Sequence, residues 1–285
     1  MELKILVIGD LLLDRWITGR FYKITNEWST PKRVIIADRE QVTLGGAGNA
    51  ATKLASLNGC EITFLVAGEV SFTDELVGPE PTRDLRFKHL PDTGYRVPEK
   101  VRVIAVDCDD RCRYDWDKGW QNIDDKPIIK YIKSASPDAV LISDYGKGVC
   151  TTDVCQAAIC SSGISVVDPK GVSWDKYRGA TIIKANADEL QETGIPPESL
   201  ASRLGSELVI THGHERVELY HKDGSQLELF DVPQIKFVDA TGAGDMFSAA
   251  LTLDYVKRRD IRAAIQYAIQ CASTSVSHLG TGLNR

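Results

Sequence analysis

Short apolar runs recur along the chain between stretches with helical spacing. Runs at Lys4–Gly9, Glu61–Ala67, Ala139–Ser143, Ser165–Asp168, 181–185 and Glu207–Thr211 predict strands. Residues 49–58 predict a helix that stops at Gly59. Strands alternating with helices imply βαβ units, hence an α/β fold with a mainly parallel sheet covered on both faces. Ligands bind such sheets beyond the carboxyl ends of the strands. Gly9-Asp10, Ser143-Asp144, Asp168-Pro169, Ala185-Asn186, Thr211 and Asp239 all fall just past a run. Two segments break the pattern. Residues 15–44 and 94–117 alternate apolar with polar groups, as in Lys100-Val101-Arg102-Val103, which predicts strands with one covered face. They form either a small β lid or an antiparallel extension of the sheet edge. The lid is favoured, because an open sheet with an apolar face needs a cover. Gly78-Pro79-Glu80-Pro81 reads as a turn, and no repeat or long linker divides the chain. Residues 1–285 therefore read as a single domain with lid segments near 15–44 and 94–117.

Composition narrows the function classes. The formal net charge is −6, which gives no electrostatic support for nucleic-acid binding. No run reaches the roughly 18 apolar residues of a membrane span. Met1-Glu2-Leu3-Lys4-Ile5 leads straight into a strand without a signal-peptide layout. Seven cysteines, an odd number in a long chain, suit reduced thiols in a cytoplasm. Their spacings at 108/112 and at 150/155/160 are not those of a zinc knuckle, so they read as small buried hydrophobes.

The stretch richest in chemistry is Asp239-Ala240-Thr241-Gly242-Ala243-Gly244-Asp245. It follows an apolar run at 235–238 and precedes Met246-Phe247-Ser248-Ala249-Ala250-Leu251, the start of a buried helix. A glycine turn opening a helix leaves backbone N–H groups without helical acceptors, at the positive end of the helix dipole. Gly242, Ala243 and Gly244 would then supply an anion hole. A carboxylate at its mouth is ill suited to simple phosphate binding. It makes sense where Asp245 takes a proton from a hydroxyl while the hole holds charge on a transferred phosphoryl group. The motif thus points to phosphoryl transfer to an alcohol. A dehydrogenase is disfavoured, because Gly9-Asp10 opens no G-x-G-x-x-G fingerprint.

The heptapeptide resembles the D-x-T-G-A-G-D signature of the PfkB, or ribokinase-like, sugar kinases. The resemblance extends over nearly the whole chain. Gly9-Asp10-Leu11-Leu12-Leu13-Asp14-Arg15 is similar to the first strand and sugar-binding turn of that family. Gly45-Gly46-Ala47-Gly48-Asn49 is similar to its N-terminal signature, and Asn186-Ala187-Asp188-Glu189 to its N-x-x-E motif. Ser143-Asp144-Tyr145-Gly146-Lys147-Gly148, Asp168-Pro169-Lys170-Gly171, Tyr177-Arg178-Gly179-Ala180-Thr181 and Leu279-Gly280-Thr281 resemble one branch, the D-glycero-β-D-manno-heptose-7-phosphate kinases.

The resemblance implies a ribokinase-like three-layer fold, ATP as donor with Mg²⁺, and a lid over the sugar through which two copies pair as a homodimer. It implies that Asp10, Asp14, Gly45, Gly46 and Asn49 meet the sugar, with Asn49 alternatively a helix cap. Lys147 and Lys170 lie in glycine-flanked turns past strands, and lysine suits a phosphate. They suggest an already phosphorylated acceptor, with Arg102 on the lid as a further candidate. Asp144 and Asp168 would contribute to sugar or magnesium. Asn186 and Glu189 would organise the nucleotide phosphates, or Asn186 simply caps a helix. Thr211 and Gly213 would bound the nucleotide, although Arg216 stands where a second glycine is usual. Asp239 and Thr241 either shape the turn or lie near a monovalent-cation site for K⁺. The acceptor implied is the C1 hydroxyl of D-glycero-D-manno-heptose 7-phosphate. Alternatives are another sugar, sugar phosphate or nucleoside, or a sugar-binding regulator without catalysis, against which Asp245 and its glycine turn argue. Some relatives carry a fused nucleotidyltransferase domain. With Arg285 soon after Leu279-Gly280-Thr281, none is expected here.

Overall fold

The computed structural model describes residues 3–26, 31–68, 70, 84–108, 110–117, 122–225, 227–234 and 242–276. Strands β1 (Lys4–Gly9), β4 (Glu61–Ala67), β5 (Leu85–Leu90), β8 (Ala139–Ser143), β9 (Ser165–Asp168), β10 (Ile182–Asn186), β11 (Glu207–Thr211), β12 (Arg216–Tyr220) and β13 (Leu227–Asp231) form the main sheet. Their spatial order is β13-β12-β11-β10-β9-β8-β1-β4-β5. All neighbours from β11 to β5 run parallel; β12 and β13 are antiparallel additions at one edge. Five of the six expected strands have the limits read from the sequence. The sixth begins and ends one residue later. The antiparallel edge was not expected, because its short strands alternate apolar and polar residues and carry no helix between them.

Successive residues of β1 point to opposite faces, and both faces are dry. Ile5 and Val7 join one core, Leu6 and Ile8 the other. The first core is covered by helices α1 (Ala47–Ser56), α6 (Ala243–Arg258) and α7 (Ile261–Val276). The second is covered by α2 (Lys126–Ala135), α3 (Thr152–Cys160) and α5 (Pro197–Leu204), while α4 (Ala187–Thr193) follows β10. Burying each large aliphatic side chain contributes about 1.5–3 kcal/mol, so the uninterrupted apolar strands are what hold the layers together. β1 lies between β4 and β8, so the chain switches direction across the sheet there, and a crevice opens at the strand ends.

The alternating segments form a second sheet. Strands β2 (Leu11–Thr25), β3 (Lys32–Gly46), β6 (Glu99–Ala105) and β7 (Asp110–Trp116) pair in the order β3-β2-β6-β7. β2 leaves the core two residues after β1, and β3 returns at Gly46 directly into α1. The lid is therefore hinged on the same residues that carry two of the motifs. Helix α1 begins before the expected 49–58, because Gly46 caps it and Asn49 does not. A φ of 58° at Gly46, and a hypothetical Cβ only 2.4 Å from the Asp10 carbonyl oxygen, explain the glycine. The run at 235–238 and the turn at 78–81 lie outside the described residues.

Candidate active site

Asp245 is the third residue of α6, whose N-cap is Gly242. The Met246 N–H closes the first helical bond onto Gly242 O. The amides of the first turn before it have no helical acceptor. Asp245 is only 7% exposed. Its Oδ2 accepts from Asn49 Nδ2 at 2.5 Å and its Oδ1 from Tyr145 Oη at 2.7 Å. A carboxylate has about four acceptor positions, so two donors orient it without saturating it. Burial, then the nearby Asp168 charge, pushes the carboxyl up to about 6, although the two hydrogen bonds and Lys184 pull the other way. That value suits a general base working near neutrality.

The first loop motifs arrive from the other side. A Cβ on Gly45 would lie 2.3 Å from Asp14 Oδ2, so the glycine admits that carboxylate. Asp14 accepts from Arg102 on the lid at 2.6 Å. Asp10 behaves differently from the expectation. It is fully buried, and its carboxylate accepts the backbone N–H groups of Tyr145 (2.9 Å), Lys147 (3.0 Å) and Val149 (2.8 Å). It builds the turn that carries Tyr145 and Lys147 and has no face open to a sugar hydroxyl. Burial, and then Asp144, raise its carboxyl to about 6. Asp144 is likewise consumed, accepting from Gly146 N–H (2.7 Å), Lys176 Nζ (2.5 Å) and Tyr177 Oη (2.6 Å). Asp10, Asp144 and Cys150 converge closely enough to suggest a metal, but protein donors already satisfy both carboxylates. Among the cysteines, Cys60, Cys150 and Cys155 are buried as expected, whereas Cys108, Cys112 and Cys160 are exposed.

The two lysines expected to share one phosphate diverge. Their turns are adjacent, with Lys170 Cγ 3.6 Å from where a Gly146 Cβ would sit. Lys147 nevertheless pairs with Asp117 at the end of the lid, and Lys170 reaches Glu189 Oε1 at 3.0 Å. Opposite carboxylates draw the ammonium groups apart, one to the lid side and one to the Asn186 side. Asn186 and Glu189 form a reciprocal capping box on α4, with Glu189 N–H to Asn186 Oδ1 at 2.8 Å and Asn186 N–H to Glu189 Oε2 at 3.1 Å.

Beside them opens a cavity of about 610 Å³. Its lining combines apolar Val217, Phe247, Ile269 and Val276 with polar Lys184, Asn186 and Thr211 and with Gly244. Gly213 and His214 also line it. Arg216 needs no glycine-like backbone, since its φ is not positive; it pairs in the β11–β12–β13 ladder and donates to Glu218 at 2.8 Å. Lys184 was missed from the sequence. It is 4% exposed, lies 3.2 Å from a hypothetical Gly244 Cβ, and pairs with Asp168 Oδ2 at 3.0 Å. Ser248 donates to the same oxygen at 2.7 Å. The signal was present: a lysine inside the otherwise apolar Ile182-Ile183-Lys184-Ala185 run needs a buried partner. Tyr145 was also missed as a partner of Asp245. Asp239 and Thr241 lie outside the described residues.

Residues 126–285 match the pfkB family carbohydrate kinase pattern. The chain belongs to that family. Pairwise comparison agrees with this family membership. The chain is 31% identical to the Bifunctional protein HldE of Bradyrhizobium diazoefficiens and 32% identical to that of Wolinella succinogenes, over 98% and 97% of its length. It spans only 60% and 62% of those relatives. Its fold is ribokinase-like. Arabidopsis thaliana ribokinase, solved with ribose and ATP, superposes with a TM-score of 0.70, 18% identity and coverage of 99% and 95%. Escherichia coli phosphofructokinase-2, solved with potassium, gives 0.75, 16%, and 99% and 95%. As a pfkB carbohydrate kinase the protein is a phosphotransferase enzyme. No helix among the described residues is long and apolar enough to cross a membrane.

Proposed function

We propose that this pfkB kinase transfers the γ-phosphate of ATP to a hydroxyl of a phosphorylated sugar, the C1 hydroxyl of D-glycero-D-manno-heptose 7-phosphate. The observation that carries the transfer chemistry is Asp245. It is a buried carboxylate with a raised pKa, held by Asn49 and Tyr145 in the first turn of α6. Asp245 accepts the proton as the acceptor oxygen attacks. Gly242, Ala243 and Gly244 hold developing charge with their N–H groups, and Lys184 adds a fixed positive charge beside Gly244. The 610 Å³ cavity takes the nucleotide, with its base among Val217, Phe247, Ile269 and Val276. Thr211 and Gly213 bound it, and Asn186 and Glu189 order its phosphates. A ribokinase of the same fold is solved with ribose and ATP, which supports ATP as the donor.

Asp168, Asn186 and Glu189 offer oxygen donors only, which fits Mg²⁺ held largely by water and nucleotide phosphate. When bound, the ion neutralises phosphate charge. For K⁺, the support is the potassium named with phosphofructokinase-2, and Asp239 and Thr241 are its candidate ligands. On the sugar side, Asp14, Gly45, Gly46 and Asn49 meet the acceptor. Lys147 lies at the lid seam. Lys170, drawn to Glu189, belongs to the nucleotide side. The heptose 7-phosphate assignment rests on the Ser143–Gly148, Asp168–Gly171 and 177–181 motifs and on likeness to the HldE proteins.

We read residues 1–285 as one kinase domain, cytoplasmic, paired as a homodimer through lids that expose Tyr22, Ile24, Ile36 and Trp116. The deciding experiment is a panel of sugars and sugar phosphates with Mg-ATP, read by ADP release. Heptose 7-phosphate should be used best. Equal or better use of free sugars would overturn the acceptor, and no ADP release with any acceptor would overturn the reaction.

A further inference from the structure

The inner face of the lid carries a row of charges. Across the register, Asp14 on β2 stands beside Lys100 on β6, which stands beside Asp115 on β7. The next row is Trp16, Arg102 and Arg113. Residues two apart on a strand share a face, so all six side chains leave the sheet on one side. Two contacts show that this side faces the catalytic loop. Lys100 Nζ lies 5.6 Å from the Tyr145 ring centroid, and Asp117, further along the β7 face, pairs with Lys147.

Both arginines have carboxylates. Arg102 bonds Asp14 at 2.6 Å and stacks on Trp16 at 4.6 Å; Arg113 holds Asp115 with two bonds of 2.6 Å. Each guanidinium has five N–H donors, so each keeps donors in reserve. Lys100 is half-buried and has no carboxylate within ion-pair distance among the described residues. Three cations thus face two carboxylates. Burial holds the Lys100 ammonium below the ordinary lysine range; Asp14 and, more weakly, Asp115 offset part of this, and Arg113 and Arg102 press it lower still. Asp14 and Asp115 flank Lys100 in the register, but their close bonds go to Arg102 and Arg113, so a partly desolvated ammonium is left without an ion pair of its own and is costly unless an anion comes to it.

We infer that Lys100, flanked by Arg102 and Arg113, is the site that receives the acceptor's phosphate, so that the lid reads whether the sugar is already phosphorylated. This rests on the proposed sugar-phosphate acceptor and assigns the recognition to residues outside the two core lysines. The geometry fits such a substrate. The Tyr145 side chain has Lys100 over its ring and Asp245 at its hydroxyl, 2.7 Å away. A sugar ring is about as long as that side chain, so an acceptor that lays one hydroxyl on Asp245 carries a phosphate at its far end to Lys100. Closing the lid on a phosphate also fills the charge vacancy, which couples closure to the correct acceptor.

The test uses the full chain with Lys100→Met, which keeps the stem and removes the charge, and Lys100→Arg, which keeps the charge. Steady-state kinetics are measured with ATP, heptose 7-phosphate and the unphosphorylated heptose. Inorganic phosphate is added as a competitor. K100M should raise KM for the sugar phosphate about tenfold or more. It should leave KM for ATP and kcat/KM for the free sugar within about twofold, and weaken inhibition by phosphate about tenfold. K100R should restore most of the loss. An unchanged KM for the sugar phosphate in K100M, while the wild type still prefers that acceptor, would overturn this inference and leave the proposed function standing. An equal loss for both acceptors would also overturn it, by reducing Lys100 to a prop for Tyr145. A wild type that prefers the free sugar would overturn both. If K100M fails to fold, K100Q carries the same comparison.

Discussion

Asp245→Asn separates the demands of chemistry from those of folding. In the native protein burial raises the carboxyl from 3.8 to about 6. The folded state therefore holds that proton more tightly than the unfolded chain does. Below about pH 4 both states are protonated and the carboxyl costs nothing. As pH rises from about 4 to about 6, the unfolded chain ionises while the folded carboxyl stays protonated, so stability is lost, and the loss levels off above about 6. Roughly two pKa units correspond to about 3 kcal/mol at neutral pH. Asparagine fits the same pocket: its oxygen accepts from Asn49 and its amide donates to a rotated Tyr145 hydroxyl. It carries no charge at any pH. The unfolding free energy of Asp245→Asn minus that of wild type should therefore climb by about 3 kcal/mol between about pH 4 and about pH 8. Urea denaturation followed by circular dichroism at a series of pH values reads this difference, and the other titrating groups cancel. Turnover with Mg-ATP should fall about a hundred- to ten-thousand-fold in the same variant. In the wild type, kcat/KM should rise as pH passes about 6. A stability difference that stays flat with pH would refute the buried-base argument, and turnover equal to wild type would remove Asp245 from the chemistry.

The remaining predictions concern the surroundings of that base. Lys184→Met should destabilise the fold by about 2–3 kcal/mol, because it leaves the partly buried Asp168 without its cation. Adding Asp168→Asn should recover much of that loss in a double-mutant cycle, whereas additive losses would show that the pair is not coupled. Asn186→Ala or Glu189→Ala should raise KM for Mg-ATP and leave sugar binding nearly unchanged; a selective loss of sugar affinity would reverse the two sides of the crevice. Lys147→Ala and Lys170→Ala should now part company: the first should affect the acceptor and the second ATP, as competition kinetics with each substrate will register. His221 places its two ring nitrogens 2.8 Å from Glu207 and Glu228, a geometry that only the imidazolium satisfies, and its pKa is raised chiefly by the Glu228 bond. Its stabilising contribution is complete below about pH 6.5 and fades as pH rises through the higher folded value. His221→Gln should therefore weaken the fold at acidic pH and lose less at alkaline pH, measured by thermal melts across that range.

What the sequence determined follows from local rules. Short, mostly apolar runs bounded by turn signals and alternating with helix-like stretches fit strands buried on both faces, so five of the six expected parallel strands carried their limits in plain view. Gly242-Ala243-Gly244-Asp245 announced a helix start with a carboxylate in its first turn, because only glycine-rich backbone makes that entry. The alternating segments read as a lid for the same reason, since period two exposes one face. Tertiary structure decided the partners. No local rule could say that Asn49 and Tyr145, 196 and 100 residues away, would both donate to Asp245. Nor could it say that the three amides of the 145–149 turn would consume Asp10, which removes it from the acceptor side. Lys147 and Lys170 look alike in sequence, each in a glycine-flanked turn, and differ because one pairs with Asp117 at the lid and the other with Glu189 beside Asn186. Lys184 and Lys100 acquire meaning only from what is near them: a partly buried carboxylate paired with it in one case, two carboxylates already bonded to arginines in the other. Charge interactions depend on distance and burial, and both are set by the folded chain rather than by order along it.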